Sequence, residues 1–298
     1  MKKYERHTLK RSLLMAVCSL FLLLGMTTLV QAGNDDCFNI YISGIDSRSG
    51  MTDSSLSDVN IVATINTNTK QILLVSTPRD YYVPLSISNG VCDKLTHAGT
   101  YGVEVSRDTL AMLYDIDIDY YFRIDFSGFK EVIDGLGGIT IVSDYTFDSQ
   151  NVKGYHFDEG ENFVDGEAAL AFVRERYSFS EGDRQRGRNQ MAVIKGVVNK
   201  MAESNVLENV YTVIKEISDD YKTDIPVTKM ISLAAKYLKD ADAWNVVSYS
   251  VDGTGDSRSG YSMSTPAYVM IPDMTTVEKA QDLMEKVRSG EILTEDDL

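Results

Sequence analysis

The sequence has 298 residues, 43% of them hydrophobic, which is enough chain to bury the core of one sizeable domain or two small ones. Charged residues make up 24%, so the composition is that of a globular protein and excludes the disordered class. The formal net charge of −15 at pH 7 disfavours binding to nucleic acid or anionic lipid, unless basic residues are concentrated locally.

The N-terminus has a basic start followed by an apolar run. Residues 1–11 carry five basic side chains against Glu5, a net charge of +4, and residues 13–30 include no charged side chain. A run of this length suits a bilayer-spanning helix of roughly 17–25 residues, and the basic flank favours a cytoplasmic N-terminus. We predict a cytoplasmic tail over 1–11, a transmembrane anchor over 12–32, and an extracytoplasmic remainder in a single-pass protein of the cell membrane. A signal peptide cleaved after Ala32 is the alternative.

Two of the three cysteines, Cys37 and Cys92, follow the apolar run. In an oxidising compartment they could pair or stay as two thiols, and both readings remain open because the sequence does not give their Cα separation. No CxxC motif or clustered Cys/His pattern is present, so no zinc site is predicted.

Strands and helices alternate along the rest of the chain, with Thr67-Asn68-Thr69 as a hairpin turn and a polar segment over 151–165. Five apolar residues recur at helical spacing, and we interpret this stripe as core rather than as the wall of a ligand site. They are Phe126, Phe129, Val132, Ile133 and Leu136. The alternation predicts a three-layer α/β/α sandwich with a mixed central sheet, preceded by one N-terminal transmembrane helix. The predicted strands are 38–45, 59–66, 71–76, 118–124, 139–142, 244–250 and 268–271; the predicted helices are 107–114, 126–136, 166–173, a long one through 191–201, 226–239 and 275–288.

Two aspartates flank the first predicted strands. Asp46 directly follows the strand 38–45, and Asp58 directly precedes the strand 59–66. In α/β proteins the loops at strand ends converge on a ligand crevice, and two carboxylates there suit a hard cation such as Mg²⁺. The alternative is that both are ordinary turn residues beside strands.

Arginines form the strongest signal in the sequence. Arg79 follows the strand 71–76 behind Pro78, where its planar fork suits a phosphate, although a plain ion pair with Asp80 is equally compatible. Beyond residue 11 the chain carries a net charge of −19 and eleven arginines, and five of these fall within residues 174–188. They are Arg174, Arg176, Arg184, Arg186 and Arg188.

The placement of these arginines favours an anion site. Arg174 and Arg176 bracket the end of one helix, while Arg186 and Gln190, at i and i+4, share one face of the first turns of the next. A helix N-terminus already presents free N–H donors and a positive dipole end, so arginines there call for a bound anion. A solvated charged face is the alternative; lysine would serve that purpose equally well, yet every basic residue from 174 to 188 is arginine.

Seven short motifs then follow one another in a defined order. They are 44–48 (GIDSR), 57–58 (SD), 76–80 (STPRD), 93–98 (DKLTHA), 135–138 (GLGG), 169–176 (ALAFVRER) and 182–190 (GDRQRGRNQ). In order and spacing they resemble the LytR-CpsA-Psr (LCP) family of cell-wall enzymes. The likeness covers roughly residues 38–290, which we take as an extracytoplasmic LCP-like catalytic domain.

The resemblance implies transfer of a glycopolymer from an undecaprenyl-pyrophosphate carrier to a peptidoglycan sugar hydroxyl, which leaves a phosphodiester link. It also implies an α/β/α sandwich with an apolar pocket for the lipid tail. Asp46 and Asp58 look like the family's metal-associated aspartates, with Mg²⁺ or Mn²⁺ as the cofactor. The residues that match its pyrophosphate-binding positions are Arg79, Lys94, Arg174, Arg176, Arg186 and Gln190; those we expect to be catalytic are Asp58, Arg79, Arg174 and Arg186.

Two departures from the family pattern stand out. The family often has an arginine two residues before the second aspartate, where this chain has Leu56, and it often reads Arg-Gln-Gln where this chain has Arg188-Asn189-Gln190. Because one arginine is lost, we expect weaker binding of the diphosphate or a changed choice of acceptor.

Two other functions stay open at this stage. Water in place of the sugar hydroxyl would make the enzyme a lipid pyrophosphatase, and a non-catalytic surface module would bind anionic wall polymer through the arginines. A nucleic-acid partner is disfavoured because the exported part is acidic and shows no helix-turn-helix signature.

Overall fold

The computed structural model describes residues 36–46, 54–201, 220–239 and 244–298. Its strands are β1 (Cys37–Ile45), β2 (Val59–Asn66), β3 (Gln71–Ser76), β4 (Tyr82–Pro84), β5 (Cys92–Lys94), β6 (Tyr120–Asp125), β7 (Ile139–Ser143), β8 (Phe147–Asp148), β9 (His156–Phe157), β10 (Gly160–Val164), β11 (Tyr221–Thr223), β12 (Asn245–Ser250), β13 (Gly253–Arg258) and β14 (Ala267–Pro272). Its α-helices are α1 (Leu95–Ala98), α2 (Val103–Tyr114), α3 (Phe126–Gly135), α4 (Gly166–Arg174), α5 (Asp183–Met201), α6 (Val227–Lys239) and α7 (Met274–Ser289).

Six of these strands form a central mixed sheet in the order β11-β6-β1-β2-β3-β12. β2 runs antiparallel to both of its neighbours, β1 and β3, whereas β6 is parallel to β1 and β12 is parallel to β3. Every residue of β3 is buried, as expected for a strand that is covered on both faces. The predicted α/β fold with a mixed central sheet is therefore confirmed.

Helices cover both faces of this sheet, because successive residues of a strand point to opposite sides. On one face Tyr41, Val62 and Val75 pack with Leu110 of α2 and Leu283 of α7. The other face packs against α5, through Met191, and against α6. The buried residues of this face are Phe38, Ile40, Ile61, Ala63, Ile65, Ile72 and Leu74.

A further apolar cluster lies where α3, α4 and α5 meet the paired strands β7 and β10. It includes Ile133, Ile139, Val164, Phe172 and Val193. α4 packs against both α3 and α5, and the chain runs directly from the end of α4 at Arg174 to the start of α5 at Asp183. The two arginine-bearing segments of the sequence are brought together in this way.

The hairpin of β2 and β3 has the bounds that the sequence predicts, 59–66 and 71–76. The sequence pattern does not predict the short helix α1 or the strands β4, β5, β8, β9, β10, β11 and β13, of which β9 and β10 lie within the polar segment. Residues 253–258 read GTGDSR and expose most of their side chains, so no apolar alternation marks them as a strand. Backbone hydrogen bonds to β14, which a sequence pattern does not report, define this strand instead.

The predicted anchor over 12–32 lies outside the residues that the structure describes. Among the described residues, no helix is both long enough and apolar enough to cross a membrane. Cys37 and Cys92 are both free thiols, and burial raises the pKa of each. Of the two readings that the sequence leaves open for this pair, the structure has the unpaired one.

Candidate active site

One polar cavity of about 170 Å³, here called the arginine cavity, collects most of the predicted site residues. Its charged and amide-bearing lining residues are Asp46, Asp58, Arg79, Asn151, Arg174, Arg176, Arg186 and Gln190. Lys94 is the one predicted site residue that does not line it. These side chains come from positions as far apart as 46 and 190, so the cavity is assembled entirely by the tertiary fold.

Antiparallel pairing places the two aspartates and Arg79 at one end of the sheet. In the β1–β2 register Gly44 lies opposite Val59, so the residues just after β1 meet those just before β2. The backbone N–H of Asp58 donates to the carbonyl oxygen of Gly44 at 2.9 Å. The end of β3 lies beside the start of β2 for the same reason, which brings Arg79 to the same end of the sheet.

The first turns of α5 supply Arg186 and Gln190 from above this end of the sheet. α5 approaches the end of β3 closely at Gly187, where an added Cβ would lie 3.1 Å from the side-chain oxygen of Ser76. A glycine at this position therefore lets the start of α5 come close to the segment that carries Arg79.

Each aspartate of the arginine cavity faces an arginine. The Nη1 of Arg79 donates to Oδ1 of Asp58 at 2.6 Å, and the Nη2 of Arg174 lies 3.6 Å from Oδ2 of Asp46. The guanidinium of Arg174 also stacks 4.7 Å from the ring centroid of Phe126. These contacts hold the guanidinium groups in place before any ligand binds.

The arginines remain in excess over the carboxylates. Four arginines and two aspartates line the cavity, a net formal charge of +2. Burial lowers the pKa of Arg186, and the nearby charges of Arg79 and Arg176 lower it further against the opposing effect of Asp183. Burial also lowers the pKa of Arg79, but its hydrogen bond to Asp58 and the charge of Asp58 outweigh this and leave the pKa raised. A buried group of like charges with a net positive balance is stabilised by a bound dianion.

Glu175 is a structural residue of the site that the sequence analysis did not single out. It is fully buried, and its carboxylate accepts six hydrogen bonds. Oε1 accepts from the backbone N–H groups of residues 176, 177 and 178, and Oε2 accepts from the hydroxyl of Ser149 and the N–H groups of residues 150 and 151. Glu175 thus ties the segment after α4 to the segment that carries Asn151.

The sequence did contain a signal for this role. In an extended segment Arg174 and Arg176 point to one side, so Glu175 between them must point to the other side, into the protein. The backbone at Glu175 is extended, with φ −69° and ψ 134°. Burial raises the pKa of Glu175, but the donated hydrogen bonds dominate and lower it to about 2.

A larger apolar cavity of about 310 Å³ adjoins the arginine cavity. The two cavities share Val59, Phe126, Val173 and Gln190 as lining residues. Apart from Gln190 and Asp125, the side chains that line the apolar cavity are hydrophobic or aromatic, and Gly44 adds backbone. A ligand that joins a hydrocarbon chain to an anionic group matches this pair of cavities.

The apolar stripe within 126–136 forms part of this wall, which corrects its interpretation as core alone. Ile133 and Leu136 are buried members of a core cluster, yet all five residues of the stripe also line the apolar cavity. The helical spacing predicts which face of α3 is buried but does not tell whether that face meets other side chains or a cavity.

Neither Lys94 nor Leu56 lines the arginine cavity. The Nζ of Lys94 donates to Oδ1 of Asp80 at 2.9 Å, and Oδ2 of Asp80 lies 3.7 Å from Nε of Arg79. Lys94 therefore reaches the cavity only through Asp80 and Arg79. Leu56, where the family often has arginine, is 45% exposed.

The two aspartates fit a metal ion that is shared with a phosphate ligand. Asp46 and Asp58 line the same cavity, but the described residues include no group of three or more His, Cys, Asp or Glu side chains that could hold a metal by themselves. Mg²⁺ typically takes one or two carboxylates and completes its shell with phosphate oxygens and water. The donor set therefore fits Mg²⁺ or Mn²⁺ bound together with a diphosphate.

Comparison with known proteins gives a consistent result. A family model described as the LytR_cpsA_psr family matches residues 25–285. The polyisoprenyl-teichoic acid–peptidoglycan teichoic acid transferase TagU of Bacillus licheniformis is 34% identical over 232 residues, 78% of this chain and 73% of that protein. TagU of Enterococcus faecalis is 35% identical over 235 residues, 78% of this chain and 76% of that protein. The crystal structure of Bacillus subtilis TagV matches with a TM-score of 0.71 at 25% identity, covering 88% of this chain and 100% of that one.

Proposed function

The chain belongs to the LytR-CpsA-Psr family, and from that premise we propose that it transfers a glycopolymer from a polyprenyl-pyrophosphate carrier to a peptidoglycan sugar hydroxyl. The observation that carries this proposal is the adjoining pair of cavities, one apolar and one with a net charge of +2. The names of the relatives, teichoic acid transferases acting on a polyisoprenyl-linked donor and peptidoglycan, support the same class of reaction.

In this proposal the lipid tail lies in the apolar cavity and the diphosphate lies among the arginines. Gln190 lines both cavities, so its amide is available to the phosphate at the junction. Arg79, Arg174 and Arg186 hold the phosphate oxygens through their N–H donors, and Arg176 lines the same cavity. Mg²⁺ or Mn²⁺, when held with the diphosphate by Asp46, would supply additional neutralisation of the phosphate charge and leave Asp58 able to accept a proton.

The reaction is a displacement at the phosphorus that carries the glycopolymer. The oxygen of the acceptor hydroxyl forms a new bond to this phosphorus, the bond to the bridging oxygen breaks, and polyprenyl phosphate leaves. The hydroxyl proton passes to a carboxylate of the cavity, for which Asp58 is positioned by Arg79. The protein forms no covalent bond in this scheme, so positioning and charge stabilisation supply most of the rate enhancement.

The proposed membrane anchor at the N-terminus would place the catalytic domain close to its donor. A membrane anchor over residues 12–32 would keep the catalytic domain at the extracytoplasmic surface, where a lipid-linked donor resides in the bilayer. Lys94 is proposed to act from the rim, by fixing Asp80 and through it Arg79.

The decisive experiment incubates the full chain with a labelled polyprenyl-pyrophosphate saccharide, Mg²⁺ and peptidoglycan, and then analyses the linkage of the label. We expect label joined to peptidoglycan through a phosphodiester and release of polyprenyl phosphate. Soluble phosphosaccharide with no wall-linked product would indicate a lipid pyrophosphatase instead. Binding of anionic polymer without turnover, unchanged by EDTA, would indicate a non-catalytic module. With the proposed function, EDTA abolishes transfer and added Mg²⁺ restores it.

Filling the apolar cavity should weaken donor binding in a manner that depends on lipid length. Val197 lines this cavity from α5, so a tryptophan there displaces part of a long chain. Because each buried methylene contributes about 0.8 kcal/mol, we expect Val197→Trp to raise KM for the long-chain donor about 10- to 100-fold. KM for a donor with a two-isoprene chain should change much less. Val142→Trp, on an exposed position of β7, is the matched control, and an equal effect on both donors would contradict the assignment.

A further inference from the structure

A second polar cavity adjoins the arginine cavity on the side of β12. This β12 cavity has a volume of about 130 Å³ and is lined by the end of β3, the first turns of α5 and residues 250–252 after the body of β12. It shares with the arginine cavity Asp58, Arg79, Arg186 and Gln190. The shared residues form a common wall, so a ligand in the β12 cavity is in reach of a group held by the arginines.

The two polar cavities differ in charge. The β12 cavity is lined by four arginines and four carboxylates, a net formal charge of zero, against +2 in the arginine cavity. Each of its arginines is paired with one of these carboxylates: Arg79 with Asp58, Arg184 with Asp252, Arg186 with Asp183, and Arg188 with Glu181. A bound dianion is therefore stabilised more strongly in the arginine cavity than in the β12 cavity. The β12 cavity offers hydrogen-bonding groups at no net charge, which suits a neutral polyhydroxyl ligand.

The position of the β12 cavity relative to the lipid matters for the chemistry. The apolar cavity and the β12 cavity share only Gln190, and their other lining residues differ. In a displacement at phosphorus the nucleophile enters opposite the leaving group. A hydroxyl bound in the β12 cavity does not compete with the lipid for space, because the two cavities have almost entirely different lining residues.

Gly187 keeps space in this cavity at some expense of helix stability. It lies within α5, where a glycine costs roughly 0.5–1 kcal/mol relative to alanine. A Cβ at this position would lie 3.1 Å from the hydroxyl oxygen of Ser76, which lines the same cavity. A side chain at residue 187 would thus occupy volume between α5 and the end of β3.

We propose that the β12 cavity is the acceptor subsite and binds a neutral sugar ring of the peptidoglycan glycan strand. The inference rests on the proposed function. The acceptor hydroxyl oxygen bonds to the phosphorus held in the arginine cavity, the bond to polyprenyl phosphate breaks, and the hydroxyl proton passes to Asp58, which lines both cavities. Arg184, held by Asp252 and by the carbonyl oxygen of Gly253 at 2.7 Å, is the cavity's own donor to the sugar.

The test uses the full chain in detergent and a soluble tetrasaccharide of β-1,4-linked N-acetylglucosamine and N-acetylmuramic acid. The lactyl carboxyl groups of this tetrasaccharide are converted to amides, so that the probe is neutral, as in the peptide-linked glycan strand. Its dissociation constant is measured by calorimetric titration for the wild type and for Arg184→Met, Gly187→Leu and Arg258→Met. Arg258 is a matched control because it is an exposed arginine, ion-paired with Asp256, and lines none of the three cavities. We expect Kd to rise about 10-fold or more in the first two variants and to stay within about 2-fold in the control.

Steady-state transfer to the same tetrasaccharide separates this inference from the proposed function. In Arg184→Met we expect KM for the acceptor to rise while KM for the lipid-linked donor stays near the wild-type value. No tetrasaccharide binding by the wild type, or wild-type Kd in both Arg184→Met and Gly187→Leu, overturns the subsite whether or not transfer occurs. Binding that depends on these two residues without any linked product would leave the subsite standing and refute the transfer reaction. Melting temperatures of the variants establish that each one is folded.

Discussion

Replacing Arg79 by alanine should lower kcat/KM for transfer about 10³-fold. Arg79 lines both polar cavities, and it is the arginine that donates to Asp58, at 2.6 Å. Its removal takes away a charged donor to the phosphate and leaves Asp58 without its partner, at the point where charge develops during the displacement. Loss of one such donor typically costs about 10²–10³-fold, and loss of an arginine on a transferred phosphoryl group about 10³–10⁵-fold.

A matched pair of controls makes this prediction specific. Arg107 on α2 has a side-chain exposure of 25%, against 26% for Arg79, and it is also ion-paired, so Arg107→Ala should transfer at close to the wild-type rate. Arg79→Lys keeps the charge but loses the planar fork and should be intermediate. Transfer by Arg79→Ala and Asp58→Ala within about 5-fold of the wild type would refute the site, since the scheme gives these residues roles that neighbours cannot replace.

Replacing Glu175 by glutamine should destabilise the domain by about 3 kcal/mol or more and should also impair transfer. One carboxylate oxygen becomes an NH₂ group that faces three N–H or O–H donors, so these lose their acceptor in a buried place. The same change releases the segment 149–151 from the segment that carries Arg174 and Arg176. We expect a lower melting temperature together with a higher KM for the donor. Glu161→Gln, at an exposed position on β10, should change neither.

The pH dependence of stability provides a second measurement of the same residue. The pKa of Glu175 is lowered from 4.5 to about 2 in the folded protein, so the unfolded chain takes up the proton first as the pH falls. The stabilisation is fully present above about pH 4.5 and is lost as the pH falls toward 2. The unfolding free energy of the wild type should therefore decline in this range more steeply than that of Glu175→Gln. Parallel pH profiles for the two proteins would show that Glu175 is not the titrating group.

The sequence was informative wherever the deciding interactions are local. The hairpin of strands 59–66 and 71–76 follows from two apolar runs and a polar turn, and both bounds are as predicted. The placement of Asp46, Asp58 and Arg79 beside strand ends was readable for the same reason. Antiparallel pairing then brings such ends together without further information, so their convergence in one cavity follows from a correct strand assignment.

The sequence was least informative about what each side chain faces. The stripe within 126–136 has the same helical spacing whether it meets a packed core or an empty volume, and the structure gives it both roles. Lys94 carries a positive charge that suits a phosphate, but its ammonium group already donates a hydrogen bond to Oδ1 of Asp80 at 2.9 Å. Glu175 reads as one acid between two arginines, whereas its six hydrogen bonds come from the adjacent residues 176–178 and from the distant segment 149–151, which no spacing rule connects to it.

The sequence by itself determined the fold class, the resemblance to a family and the excess of arginine over carboxylate near residue 180, because strand and helix periodicity and charge are properties of neighbouring residues. The tertiary structure alone decided that the arginines meet the aspartates in one cavity, that this cavity adjoins an apolar one, and that a second, electrically balanced cavity lies beside β12. Each of these features depends on the packing of segments separated by a hundred residues or more. Such packing is set by the shape of the whole core, which no local pattern encodes.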